Sequence, residues 1–339
     1  MKLLPPLSAM NALDFIPRRG LRSPHVQSFL ASGSLRRWLH RENLRALTTQ
    51  AVPQLIDAGG GVRLAGWLNA QPKPSERGLV ILLHGWEGSV DSTYLLHTGA
   101  ELYKRGFDVF RLNFRDHGAS HHLNQDLFHS CRLAEVVGAV AQITRQFPAK
   151  RLFLAGFSLG GNFTLRVALE APAAGIALNH VVAVCPVISP HQCLSAIERA
   201  PWFYQKYFVR KWITSLKRKA ELFPDRYDFS RWQREGSLRE LTRLMVENHT
   251  DFPSINEYLD GYSIADARLR ELTIPSTILL ARDDPVIPVS DVAGLELPPN
   301  VELQITAHGG HCGFIRDWSL TSFVEHYVAA RFERACDAP

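Results

Sequence analysis

Residues 150–170 read KRLFLAGFSLGGNFTLRVALE. The first part, 150–158, has the length and apolar continuity of a buried strand, and 160–170 has the spacing of a helix. Between them stands Gly156-Phe157-Ser158-Leu159-Gly160, a G-x-S-x-G pattern. On a strand-to-helix turn this pattern lifts a serine hydroxyl onto a sharp, strained bend. Small residues at 156 and 160 let neighbouring chain pass close to the turn. The N-terminus of the following helix favours negative charge developing near the serine.

The same alternation extends in both directions. Apolar runs at 78–85 (GLVILLHG), 107–114 (FDVFRLNF), 180–187 (HVVAVCPV) and 275–284 (PSTILLARDD) read as strands, and GVRLAGWLNA at 61–70 reads as an earlier one. Helical stretches are predicted at 92–105, closed by Gly106, and at 126–147. A final strand and helix follow from residue 301. Strands alternating with helices predict a mostly parallel central sheet covered on both faces, and the G-x-S-x-G turn on one of its strands makes the α/β-hydrolase fold the expected architecture. No strand is evident between 190 and 270, so an inserted helical cap is expected there. The division predicted is an arm at 1–50, irregular with one short helix, core at 51–190, cap at 191–270 and core again at 271–339.

The bulk numbers narrow the chemistry. The 339 residues are 46% hydrophobic, enough for a large core. A formal charge of +5, from 38 basic and 33 acidic residues, is too small and too dispersed to suggest a nucleic-acid binder. No HExxH accompanies the 14 histidines, and the five cysteines form no CxxC pair, so no metal and no organic cofactor is expected. An odd number of cysteines fits a reducing compartment. The N-terminal MKLLPPLSAMNALDFIPRRG is too short and broken in its apolar part for a signal or a span. The expected location is the cytoplasm.

A serine needs a base to take its proton and an acid to orient that base. In this fold their chain order is serine, acid, histidine. Asp283 and Asp284 follow a predicted strand, and adjacent side chains cannot both reach one histidine. Asp284, which opens the turn, is preferred, with Asp283 as the alternative. Of the two histidines in HGGHCGF at 308–314, His311 lies in a glycine loop suited to a base, and His308 sits at the strand end in a structural position. Cys312 has no base of its own. Two N–H donors are needed for a tetrahedral oxyanion. Those of Leu159 and Trp86 are predicted, the latter in HGWEGS at 84–89, where His84 is expected to support the loop. That loop lacks a phosphate-binding lysine, and Glu87 would repel a phosphate.

Taken jointly, these motifs resemble the α/β-hydrolases of the YheT-like type, relatives of the eukaryotic abhydrolase-domain lipases and esterases. The resemblance also runs through Phe15-Ile16-Pro17, Pro24-His25-Val26-Gln27-Ser28 and NFRDHGAS at 113–120, with Ser28 where the family often has threonine. It implies a triad of Ser158, Asp284 and His311, with Arg115 and Asn162 supporting it. The alternative for Arg115 is a pairing with a nearby acid such as Asp116 that holds the loop. The function implied is a carboxylic-ester hydrolase for short to medium acyl esters. The alternatives are an interfacial lipase or phospholipase on glycerolipids, and a ligand-binding protein that keeps the fold without catalysis. In the cap, Tyr204, Phe208, Trp212 and Leu216 form one stripe, with Lys206, Arg210, Lys217 and Arg218 largely off it. Such a helix packs the cap on the body, lines an acyl pocket or makes transient contact with a membrane surface, and the sequence leaves these open.

Overall fold

The computed structural model describes residues 15–337, so the reading of the first fourteen residues lies outside it. Eight strands form one sheet: β1 (Val52–Gly59), β2 (Val62–Asn69), β3 (Leu79–Leu83), β4 (Asp108–Leu112), β5 (Leu152–Phe157), β6 (His180–Val184), β7 (Ser276–Ala281) and β8 (Val301–Thr306). Their spatial order is β1-β2-β4-β3-β5-β6-β7-β8. The β1–β2 and β2–β4 pairs are antiparallel and the other pairs are parallel. Strands β3, β5, β6 and β7 are buried at every position. This accounts for their unbroken apolar reading, since both faces of the sheet are covered.

The helices are α1 (Pro24–Ser32), α2 (Ser34–Leu39), α3 (Arg41–Thr49), α4 (Thr93–Lys104), α5 (Leu133–Gln146), α6 (Leu159–Glu170), α7 (Pro190–Arg199), α8 (Trp202–Leu222), α9 (Leu238–His249), α10 (Ile255–Gly261) and α11 (Phe323–Asp337). This is the α/β-hydrolase fold, with α7 to α10 inserted between β6 and β7. Among the described residues no helix is long and apolar enough to cross a membrane.

Besides β1, which the sequence did not predict, two stretches differ from the expectation. The arm is not irregular with a single helix but carries three, α1 to α3. They are stabilised by tertiary contacts: Leu44 and Leu47 bury against the body, and the guanidinium of buried Arg36 pairs with Glu325 of α11. The helix expected at 126–147 begins only at Leu133. Residues 126–132 are held as a loop by partners outside it, one of them far along the chain. The Phe128 N–H donates to Asp116 Oδ2 (2.9 Å), and the Ser130 N–H donates to Tyr258 Oη (3.1 Å).

The cap is fastened to the body along α8. Phe208 stacks on Trp86 (5.7 Å between centroids) and Trp212 meets the same ring edge-on (5.1 Å). The fully buried Lys219 donates to Asp116 Oδ1 (2.7 Å) and to the carbonyls of Asn124 (2.6 Å), Asp126 (3.2 Å) and His121 (3.3 Å). Burial pulls the Lys219 ammonium down and pushes the Asp116 carboxyl up, and their attraction offsets this only in part. A pair of this kind fixes where α8 sits more than it adds net stability. Lys219→Met strands a buried carboxylate and three carbonyls. It is expected to cost roughly 3–5 kcal/mol in chemical unfolding, with part of the loss recovered when Asp116→Asn is added.

Candidate active site

Ser158 stands between β5 and α6 with φ 55° and ψ −120°, a region that non-glycine residues avoid. Its N–H donates to Val184 O (2.9 Å), which ties the bend to the end of β6. The chain can turn this tightly because of Gly160. A Cβ there would lie 2.4 Å from His84 O and 2.5 Å from Leu83 O, so any side chain would push α6 off β3.

His311 reaches Ser158 from the loop after β8. Its Nδ1 lies 2.9 Å from Asp284 Oδ2, and its Nε2 lies 2.9 Å from Ser158 Oγ. An ionised carboxylate can only accept, so Nδ1 carries the proton and Nε2 accepts from the serine hydroxyl. Asp284 is itself oriented by the N–H groups of Val286 (2.8 Å) and Ile287 (3.0 Å), both on Oδ1. Asp283 does other work. Its Oδ1 accepts from the Gly310 N–H (2.9 Å), and its Oδ2 faces His308 Nδ1 at 3.5 Å. Burial pulls the His311 imidazolium down, but the Asp284 carboxylate and the neighbouring Cys312 outweigh it and hold its pKa well above 6.5.

The loop HGWEGS lies beside this array and is held by two neutral histidines. His84 donates from Nδ1 to Gly85 O (2.7 Å) and accepts at Nε2 from the Phe114 N–H (3.2 Å). His117 donates from Nδ1 to Arg115 O (2.7 Å) and accepts at Nε2 from the Glu87 N–H (3.1 Å). Burial keeps both uncharged, with His117 lowered to about 4. The Gly85 N–H goes to Tyr94 Oη (2.9 Å), and Lys211 donates to Glu87 O (3.0 Å). Among the described residues, no protein acceptor takes the N–H of Trp86 or Leu159.

Arg115 does not pair with Asp116. It forms a two-pronged contact with Glu135 (2.6 and 3.0 Å) because Asp116 is engaged by Lys219. Asn162 donates to Val187 O (2.9 Å) and Tyr262 O (2.7 Å), joining α6 to the segments that bracket the cap. The Sγ atoms of Cys185 and Cys312 and a ring nitrogen of His311 lie within 4.8 Å of one another, a donor set that suits a soft cation. Both ring nitrogens already meet Asp284 and Ser158, so a cation there would displace one of these contacts.

The arm contributes two residues for which the sequence reading assigned no role. Ser28 Oγ accepts from the His311 N–H (2.8 Å) and donates to Pro24 O (2.7 Å). The buried Gln27 amide donates to Leu21 O (2.6 Å) and Ile315 O (2.9 Å) and accepts from the Ile315 N–H (2.6 Å). Gly310 makes this approach possible, since its φ is +53° and a Cβ would lie 2.4 Å from Pro24 O. The signal was present in Pro24-His25-Val26-Gln27-Ser28, a polar pair inside a short helix far from any other motif.

Fold and site together define a serine hydrolase of the α/β-hydrolase superfamily. Residues 74–312 match the serine aminopeptidase S33 family, and the chain belongs to that family. Its relatives include the YheT protein of Escherichia coli strain K12, 26% identical over 309 residues, which span 90% of this chain and 88% of that one. The phospholipase ABHD3 of Mus musculus is 23% identical over 249 residues, 71% of this chain and 59% of its own. Among solved structures, an esterase of Pyrococcus furiosus superposes with a TM-score of 0.56 at 20% identity, covering 86% of this chain and 92% of that one.

Two outcomes follow from the geometry. Gln27→Ala removes three buried hydrogen bonds and should lower unfolding stability by roughly 3 kcal/mol. In an NMR titration the His311 ring should protonate above pH 6.5, and Asp284→Asn should move its midpoint to lower pH, because the carboxylate that stabilises the imidazolium is gone.

Proposed function

We propose that the protein is a carboxylic-ester hydrolase for short to medium acyl esters, working by two-step acyl transfer. The observation that carries this reading is the continuous array Ser158–His311–Asp284 beside two unengaged backbone N–H groups. Ser158 Oγ attacks the ester carbonyl while His311 Nε2 takes its proton. The carbonyl oxygen, now an oxyanion, accepts from the N–H groups of Trp86 and Leu159. Asp284 stabilises the imidazolium, which then protonates the leaving alcohol. A water deprotonated by the same histidine attacks the acyl-enzyme, and Ser158 leaves with the returned proton. No step calls for a metal or an organic cofactor. Cytoplasmic localisation belongs to the same proposal and rests on the odd number of cysteines.

Hydrolysis of p-nitrophenyl esters of graded chain length tests the reading. Ser158→Ala should reduce kcat by roughly 10^4-fold or more, and an undiminished rate would sink the assignment. An optimum at long chains would favour a lipase over the short-chain esterase. The pH profile of kcat/KM supplies a further check. Protonated His311 cannot act as base, so activity should fall with one-proton slope as pH drops through its raised pKa. That acid limb should lie above pH 6.5.

A further inference from the structure

Helices α1 and α8 meet beside the site and leave an apolar face uncovered. His25 Nδ1 lies 3.1 Å from Tyr204 Oη, and its ring also meets Phe203 edge-on at 6.0 Å. The stripe of α8 that contains Tyr204 and Trp212 faces the body, so the opposite side of its first turns points outward. There Trp202 is 72% exposed, Tyr207 46% and Phe203 45%. One turn beyond His25 on α1, Phe29 is 78% exposed. The next residue before Phe29 is Ser28, which holds the His311 N–H. Phe29 therefore sits on the same turn of α1 that supports the His311 loop.

The two stretches that form this face are basic. Residues 15–41 contain six arginines, of which Arg36 is buried against Glu325, and residues 199–220 contain seven basic residues, of which Lys219 is buried against Asp116; neither stretch contains an acid. Lys206 lies over the Trp202 ring at 5.3 Å, and Arg210 follows one turn on, both exposed. Aromatic rings with a polar edge, interleaved with cations, suit the boundary between lipid headgroups and acyl chains. Two copies meeting through this face would set arginine against arginine, so like-charge repulsion disfavours self-association there.

We propose that the exposed face shared by α1 and the first turns of α8 docks on an anionic lipid surface, with the site opening turned toward the bilayer. Lys206 and Arg210 meet the headgroup phosphates, and Phe29, Trp202 and Phe203 enter the acyl boundary. This deepens the esterase reading, since an ester dissolved in the membrane would then reach Ser158 without crossing water. Binding itself does not depend on that chemistry.

The test is co-sedimentation of the full-length Ser158→Ala protein with vesicles of phosphatidylcholine alone or with added phosphatidylglycerol. Partition should favour the anionic vesicles at least tenfold and weaken as salt rises. In the same background, Trp202→Ala/Phe203→Ala and Lys206→Glu/Arg210→Glu should each lose that partition about tenfold. With Ser158 intact, both double variants should hydrolyse a soluble short ester within twofold of wild type, which shows that the fold is kept. Equal partition of wild type and both variants, or no partition at all, overturns the proposal. So does concentration-dependent dimerisation in sedimentation velocity that the same variants abolish, because the face would then be covered by a second copy. A protein that binds vesicles yet hydrolyses no ester would sink the esterase reading and leave the docking surface standing.

Discussion

At Ser158 the backbone passes from strand to helix through a left-handed conformation that costs about 1–3 kcal/mol. It persists because the surroundings leave no alternative. The Ser158 N–H is taken by the end of β6, and Gly160 lies beneath the carbonyls that end β3. The fully buried strands on either side of β5 cannot yield without opening the sheet. Once the bend is fixed, the other groups need only be aimed at one point. β7 leads into Asp284, β8 leads into His311, and β3 leads into the loop that carries Trp86.

The loop at 84–89 is braced by two buried histidines, His84 within it and His117 from the segment after β4. Both are neutral, and each joins two backbone groups across a gap that no strand pairing could span. Trp86 then links this loop to the cap. Its N–H stands at the site, and its ring lies under Phe208 and Trp212. A movement of α8 would be felt by the Trp86 peptide. The stripe on α8 thus serves first to pack the cap on the body.

The core strands and the turn at Ser158 were legible because their signals are local: an unbroken apolar run, two glycines and a serine between them. His311 and Asp284 were legible through chain order and loop composition, and the choice between Asp283 and Asp284 came from turn position. What escaped the sequence depends on distant partners. Arg115 bonds Glu135 because Asp116 is claimed by Lys219, about a hundred residues further on. The edge strand β1 was overlooked since Pro53 interrupts its alternation and most of its residues are exposed, although Gly59-Gly60-Gly61 marks the hairpin turn. The arm helices lack a clear period because buried polar groups, Gln27 and Arg36, take positions where apolar residues would be expected.

Gln27 and Ile315 are separated by 288 positions, yet they share a pair of hydrogen bonds beside the histidine. The support of the His311 loop thus depends on a contact of very long range in sequence, which closes more slowly than the local contacts of the sheet.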